Sequence, residues 1–116
     1  MRLKSIDNFI NDLINTFPEI KEEVLDEDYE GLITLQIGCF MRFINNAINA
    51  NDLVLFKKCM DFIAQNINIV DKRIENSLVI SCLGKLKIPK GSQIEGLIPK
   101  ELESLIDSLE AYYDSM

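Results

Sequence analysis

Apolar residues recur at helical spacing along nearly the whole chain. Between residues 6 and 17 they occupy positions 6, 9, 10, 13, 14 and 17, one stripe of an amphipathic helix that Ser5 can cap. From residue 32 to residue 48 apolar residues cover most of the helix surface, which is typical of a helix in the middle of a bundle. Three further helices are predicted: one that Asn51 or Asp52 can cap, one that Asp71 can cap, and a last one that follows Pro99.

The segments between these helices are short and polar. Residues 16–19 match a capping box with proline in the first turn, and predict a short second helix that ends near Leu25. Residues 26–31 are a polar break, and residues 88–92 form the clearest loop. No segment shows sustained alternation with a period of two. The sequence therefore predicts an all-α fold, one domain over residues 1–116 built as a bundle of five to six antiparallel helices, with an arrangement in stacked hairpins left open.

Composition argues against catalysis. The chain has 116 residues, of which 47% are hydrophobic, enough to bury a core without disulfides or metals. It contains no histidine, and its cysteines, Cys39, Cys59 and Cys82, lie far apart among apolar neighbours. We expect them to be buried and unpaired, because no histidine is present to generate a thiolate. We predict that the protein is not an enzyme and needs no cofactor.

A metal site is not expected either. Without histidine, a zinc site would need cysteine and carboxylate ligands alone. Residues 26–31 resemble the start of an EF-hand calcium loop, but such a loop needs a bidentate glutamate at its twelfth position. That position is Ile37.

The ends and hydropathy of the chain bear on its location. The first residues turn polar at once, without the apolar stretch of a secretory signal. No run of about 18 apolar residues is present that could span a bilayer. We expect a cytoplasmic protein that does not bind membranes.

Charge is unevenly distributed along the chain. The net charge is −7, with residues 1–30 at −6, residues 31–90 at +4 and residues 91–116 at −5. Residues 19–30, here called the acidic segment, hold seven acids and one lysine. A second acidic set lies on the last helix. An acidic chain is poorly suited to hold phosphate backbones, so we expect no nucleic-acid binding.

Two interpretations of these acids are open. They can be solvated faces that pair in part with Lys57, Lys58, Lys72 and Arg73. Alternatively they form an anionic surface for a basic protein, since clustered charge speeds association and excludes like-charged competitors. Tyrosines within both acidic sets would supply aromatic anchors. On this interpretation the partner-binding residues are Glu22, Glu23, Asp26, Glu27, Asp28, Tyr29, Glu30, Asp107, Glu110, Tyr112, Tyr113 and Asp114.

The central helices resemble a known group of small bacterial proteins. The resemblance covers about residues 30 to 86 and is carried by Gly38-Cys39-Phe40-Met41-Arg42-Phe43, Asn51, Lys57-Lys58, Asp61-Phe62-Ile63, Ile74-Glu75-Asn76-Ser77-Leu78 and Cys82-Leu83. The group that these residues resemble is the all-helical immunity proteins encoded beside polymorphic and contact-dependent growth-inhibition toxins. That family tends to have Gly-Asp-Phe-x-Arg-Phe at the first point, where Cys39 replaces the aspartate here. Arg42 is the polar position that transfers, either as a partner contact or as an anchor between helices.

The resemblance implies a stoichiometric inhibitor of a cognate toxin, bound one-to-one. Many such toxins are nucleases, including RNases that cleave tRNA, and their clefts are basic because the substrate is polyanionic. The alternative is a helical scaffold or adaptor unrelated to toxins. It would act by binding another partner or by homodimerisation, through an apolar face such as the one bearing Leu105, Leu109 and Tyr112.

Overall fold

Six α-helices make up most of the part of the chain that this computed structural model describes, residues 3–114, with side chains described through residue 109. They are α1 (Ile6–Thr16), α2 (Lys21–Val24), α3 (Ile33–Asn49), α4 (Leu53–Asn66), α5 (Lys72–Ser77) and α6 (Lys100–Asp114). Short 3₁₀ turns lie between them, and one π-turn, Leu78–Cys82, directly follows α5. Within residues 3–114 there is no β-strand, which confirms the predicted all-α bundle. None of the described helices is long and apolar enough to cross a membrane.

Helix α3 is the centre of the bundle. Its side chains Ile37, Phe40 and Ile44 are fully buried, and it packs against α2, α4, α5 and the π-turn. A helix that is apolar on most of its surface needs neighbours on several sides, as its pattern predicted. Leu35 is the exception at 45% exposed, because α2 covers the adjacent position, Gln36, and leaves that side of the first turn open.

Side-chain N-caps mark the start of three of the helices. The side chains of Ser5, Asp52 and Asp71 each accept a hydrogen bond from a backbone N–H two or three residues further on, as predicted. Asn51 ends α3 in the left-handed conformation, with φ of 53°, and its N–H bonds to the carbonyl of Ile48. Asparagine tolerates this conformation, so α3 turns into α4 within three residues.

The capping box predicted at Thr16 is not formed. Thr16 is the last residue of α1, and its Oγ1 donates to the carbonyl oxygen of Asp12 at 2.7 Å. The hydroxyl is therefore already used when the chain turns at Phe17 into the 3₁₀ turn Pro18–Ile20. Helix α2 follows that turn without a side-chain cap.

Phe17 joins α1 to the rest of the bundle. Its buried ring lies 5.2 Å from Phe40, 5.7 Å from Phe43 and 5.6 Å from Phe62, measured between ring centroids. The Nζ atom of Lys58 lies 5.1 Å from the centroid of the same ring. Tilted and edge-to-face aromatic pairs are favourable beyond the area that they bury. Phe17, which directly follows the last residue of α1, is thereby fixed against both α3 and α4.

Lys4 ties the start of the described chain to the α4–α5 connection. Its N–H donates to the carbonyl of Ile69, and its carbonyl accepts from the N–H of Asp71, forming one isolated parallel bridge. Its Nζ donates to Asp12 at 2.5 Å and to Asn66 at 2.7 Å. The sequence pattern did not predict this contact, because one residue pair leaves no periodic signal.

We expect Phe17→Ala to lower the free energy of unfolding by about 3–5 kcal/mol, the usual cost of truncating a buried phenylalanine. Urea unfolding followed by far-ultraviolet circular dichroism measures this loss. Phe43→Ala is the matched control, because Phe43 is partly exposed and should cost less. Equal losses in the two variants would contradict the central role of Phe17.

Candidate partner-binding site

The acidic segment forms the exposed link between α1 and α3. Its acids are all exposed in the structure: Glu19, Glu22, Glu23, Asp26, Glu27, Asp28 and Glu30. Helix α2 occupies the middle of the segment, and a 3₁₀ turn, Glu27–Tyr29, follows it. Asp26 caps this turn by accepting a hydrogen bond from the N–H of Asp28 at 2.8 Å. Structured turns thus position most of these carboxylates.

Contacts with the core hold the acidic segment in place. Val24 is fully buried, and its carbonyl accepts a hydrogen bond from Nε2 of the buried Gln36 at 3.2 Å. The Tyr29 ring is partly buried and packs against the core. Gly31, with φ of 75°, supplies the left-handed turn that leads into α3. The segment is therefore an ordered surface whose backbone is fixed from beneath.

Most of the charge on this surface is not neutralised by neighbouring cations. Within the described ranges, Glu23 alone among the seven acids forms an ion pair, and its partner is Arg42. Among the described side chains, the pairing that one interpretation invoked with Lys57, Lys58, Lys72 and Arg73 is absent: Lys57 pairs with Asp61, Arg73 pairs with Asp71, and Lys58 donates to the carbonyl of Thr16. Net negative charge is thus concentrated in the acidic segment, as its sequence indicates.

Arg42 anchors α2 to α3. Its Nη2 donates to Oε1 of Glu23 and also lies 3.4 Å from Sγ of Cys39. The hydrogen bond from the Arg42 guanidinium lowers the pKa of Glu23 below its ordinary value. Of the two roles considered for Arg42, the structure contains the helix anchor. Glu23, a predicted partner-binding residue, is already engaged within the chain.

The cysteines are buried and unpaired, as predicted. Burial raises the pKa of Cys39 to about 11 and that of Cys59 to about 12, and it also raises the pKa of Cys82. All three therefore remain protonated thiols at neutral pH. They belong to the hydrophobic core.

Apolar side chains lie beside the acids. Leu25, Leu32 and Leu35 are 49%, 50% and 45% exposed. Leu32 and Leu35 are adjacent on the first turn of α3, where the N–H of Leu35 bonds to the carbonyl of Leu32. We call the acidic segment together with these three leucines the acidic–apolar surface. The hydrophobic pattern did not predict that these leucines are exposed, although Leu35 lies off the main apolar stripe of α3.

The second predicted set of partner-binding residues lies on α6. Asp107 is exposed, whereas the side chains of Glu110, Tyr112, Tyr113 and Asp114 fall outside those described. The role of this second set stays a prediction.

A groove borders the acidic–apolar surface. It has a volume of about 700 Å³, with Glu19 and Glu23 on its acidic side, Lys85 and Lys87 on its basic side, and the α3 residues Arg42, Asn45, Asn46 and Asn49 between them. The Asn45 amide holds the basic side, because it donates to the carbonyl of Lys85 at 3.2 Å and accepts from the N–H of Lys87 at 2.9 Å. The two sides are more than sixty residues apart in sequence.

These features define an all-helical domain with a charged surface. In the portion of the chain with described side chains, no group of three or more His, Cys, Asp or Glu residues is arranged to hold a metal ion. The chain belongs to the family described as Domain of unknown function (DUF7674), whose model matches residues 10–114. Searches of curated proteins and of solved structures returned no match.

We expect Arg42→Ala to raise the pKa of Glu23 toward its ordinary value, because the variant loses the hydrogen bond from the guanidinium. Because the folded-state pKa of Glu23 is lowered, the pair stabilises the fold above the unfolded pKa, and this contribution is lost as pH falls through the folded pKa. Both side chains are about half exposed, so the variant should lose no more than about 1 kcal/mol at neutral pH.

An NMR titration of the side-chain carboxyl carbons measures the pKa of Glu23, and urea unfolding at neutral and acidic pH measures the stability. Arg73→Ala is the control, since Arg73 pairs with Asp71 and should leave the pKa of Glu23 unchanged. An unchanged pKa in Arg42→Ala would contradict the assigned contact.

Proposed function

We propose that this protein is an immunity protein, which binds a basic nuclease toxin one-to-one through the acidic–apolar surface and protects the cell that produces both. The observation that carries the proposal is the exposed acidic segment, in which six of seven acids form no ion pair within the described residues. Nucleases that act on polyanionic substrates have basic clefts. A surface of fixed carboxylates can occupy such a cleft where phosphates would otherwise lie.

The half-exposed leucines support a protein partner. The apolar area next to the charges comes from Leu25, Leu32 and Leu35. Tyr29, which lies between Leu25 and Leu32 in the sequence, is partly buried. Protein interfaces combine an apolar centre with a polar rim, and the charges steer association. The resemblance of residues 30–86 to immunity proteins of contact-dependent growth inhibition agrees with this arrangement. Inhibition by binding requires no catalytic group and no cofactor.

The alternative of a homodimeric scaffold is less favoured by the packing. Leu105 packs against the core, and Cδ1 of Leu109 lies 3.4 Å from where a Cβ on Gly84 would be. Of the apolar face of α6, the described residues Leu105 and Leu109 are therefore already in contact within the chain. A symmetric dimer through the acidic–apolar surface would place like charges opposite each other, which is unfavourable.

Co-expression with the neighbouring upstream gene tests the proposal directly. We expect a tagged copy of this chain to retain the upstream product in a one-to-one, salt-sensitive complex, and that product to be toxic when expressed alone. A chain that purifies alone, or as a stable homodimer, would contradict the proposal and favour the scaffold.

Reversal of three charges should weaken the complex. The side chains of Glu27, Asp28 and Glu30 are exposed and make no described hydrogen bond, so Glu27→Lys, Asp28→Lys and Glu30→Lys together should leave the fold intact. We expect association to slow by about tenfold or more at low salt, with a smaller effect at high salt, because steering is electrostatic. Surface plasmon resonance across a salt series measures this rate.

The matched control reverses three exposed acids elsewhere, as Asp7→Lys, Glu101→Lys and Glu103→Lys, which changes the net charge by the same amount. This control should slow association much less. If both triple variants bind the partner equally, net charge rather than the acidic–apolar surface governs binding.

A further inference from the structure

The groove beside the acidic–apolar surface carries opposite charges on its two sides. Glu19 and Glu23 line one side, where Glu23 is already paired with Arg42, whereas Lys85 and Lys87 line the other. Neither lysine takes part in an ion pair among the residues with described side chains. A ligand that satisfies both sides must therefore carry a positive and a negative group at separate points.

Amide groups lie between these charged sides. Asn46 and Asn49 line the groove from α3, one turn apart, and their side chains make no described hydrogen bond within the chain. Each primary amide presents two N–H donors and one carbonyl acceptor. Peptide backbone offers the complementary pair, one N–H and one C=O per residue. Asn45 shows the geometry within this protein, since its amide already bonds to the backbone of Lys85 and Lys87.

The openness of the groove favours a chain over a small molecule. Its volume of about 700 Å³ lies within the range of ligand sites, but its charged and amide side chains, Asn45 apart, are solvent-exposed. Small-molecule sites usually enclose most of their ligand's surface. An extended segment that remains part of a larger protein can lie across an open groove, because the rest of the interface holds it there.

We propose that this groove binds an extended peptide segment that carries an acidic side chain for Lys85 and Lys87 and a basic side chain for Glu19. The segment belongs to the partner that the acidic–apolar surface attracts, and in this respect alone the inference rests on the proposed function. Such a groove would give specificity. A uniformly basic protein is attracted by the carboxylates, but it meets Lys85 and Lys87 with like charge, which costs affinity.

Short synthetic peptides test the groove on the full chain without any partner protein. The probes are capped peptides with one arginine and one aspartate separated by one to five alanines, with arginine–arginine and aspartate–aspartate versions as controls. We expect a mixed-charge probe to shift the NMR signals of the Asn46 and Asn49 side-chain amides and of the Lys85 and Lys87 backbone. The same-charge probes should bind at least tenfold more weakly.

Lys85→Glu with Lys87→Glu should reduce binding of the mixed-charge probe by at least tenfold. Both side chains are exposed and the Asn45 contacts are to backbone atoms, so the fold should be retained. The control, Lys72→Glu with Lys90→Glu, makes the same change in net charge outside the groove and should leave binding unchanged.

The inference is overturned if no mixed-charge probe shifts these signals, or if the arginine–arginine probe binds equally well. Failure of the groove is distinguishable from failure of the proposed function, because co-purification does not depend on the peptide assay. Peptide binding without a toxic upstream product would reject the immunity role while leaving the groove in place. A toxin complex that is unaffected by the Lys85 and Lys87 changes would overturn the inference about the groove alone.

Discussion

The structure depends on the need to cover α3 on several sides at once. Ile37, Phe40 and Ile44 are fully buried, and no single neighbouring helix can exclude water from a helix with that distribution of apolar residues. Phe17 is central to this cover because its ring contacts aromatic residues of both α3 and α4. The turn at Phe17 then directs the chain across α3 as α2. The acidic segment therefore occupies its position because it also forms part of the cover over the central helix.

This dual use explains how a strongly acidic segment can be ordered. Its buried residues, Ile20 and Val24, supply the contact with the core, and Nε2 of Gln36 donates to the carbonyl of Val24. The remaining side chains are left to solvent, where like charges repel one another and work against compactness. Arg42 relieves that repulsion at Glu23 alone in the described ranges. Local choices that oppose stability are expected at functional sites, and this segment is where the described part of the chain tolerates most such repulsion.

The sequence predicted what depends on neighbouring residues, and it was less informative about what depends on distant ones. Helix starts at Ser5, Asp52 and Asp71 were predictable because a cap is a contact over two or three residues. The motif at Thr16 failed because its hydroxyl bonds backwards into α1. The exposure of the acids was predictable from charge, whereas the half-exposed leucines and the groove depend on how α2 and the residues after α5 lie against α3. The partner that we propose for this surface is a separate molecule, and periodicity and capping do not encode its identity.

Folding brings together charged residues that are far apart in the sequence. Residues 31–90 are net positive and follow an acidic first quarter, yet folding brings Lys85 and Lys87 into the same groove as Glu19. Two features fix the basic side: the Asn45 amide holds its backbone, and Gly84 allows close packing, because a Cβ there would lie 3.3 Å from the carbonyl of Val79. The basic side is thus held by close packing at Gly84 and by hydrogen bonds between the Asn45 amide and the backbone. These contacts join uncharged groups, so salt does not screen them as it screens attraction between surface charges. The partner that we propose would be selected by its pattern of charge, because net charge alone would not distinguish it from other basic proteins.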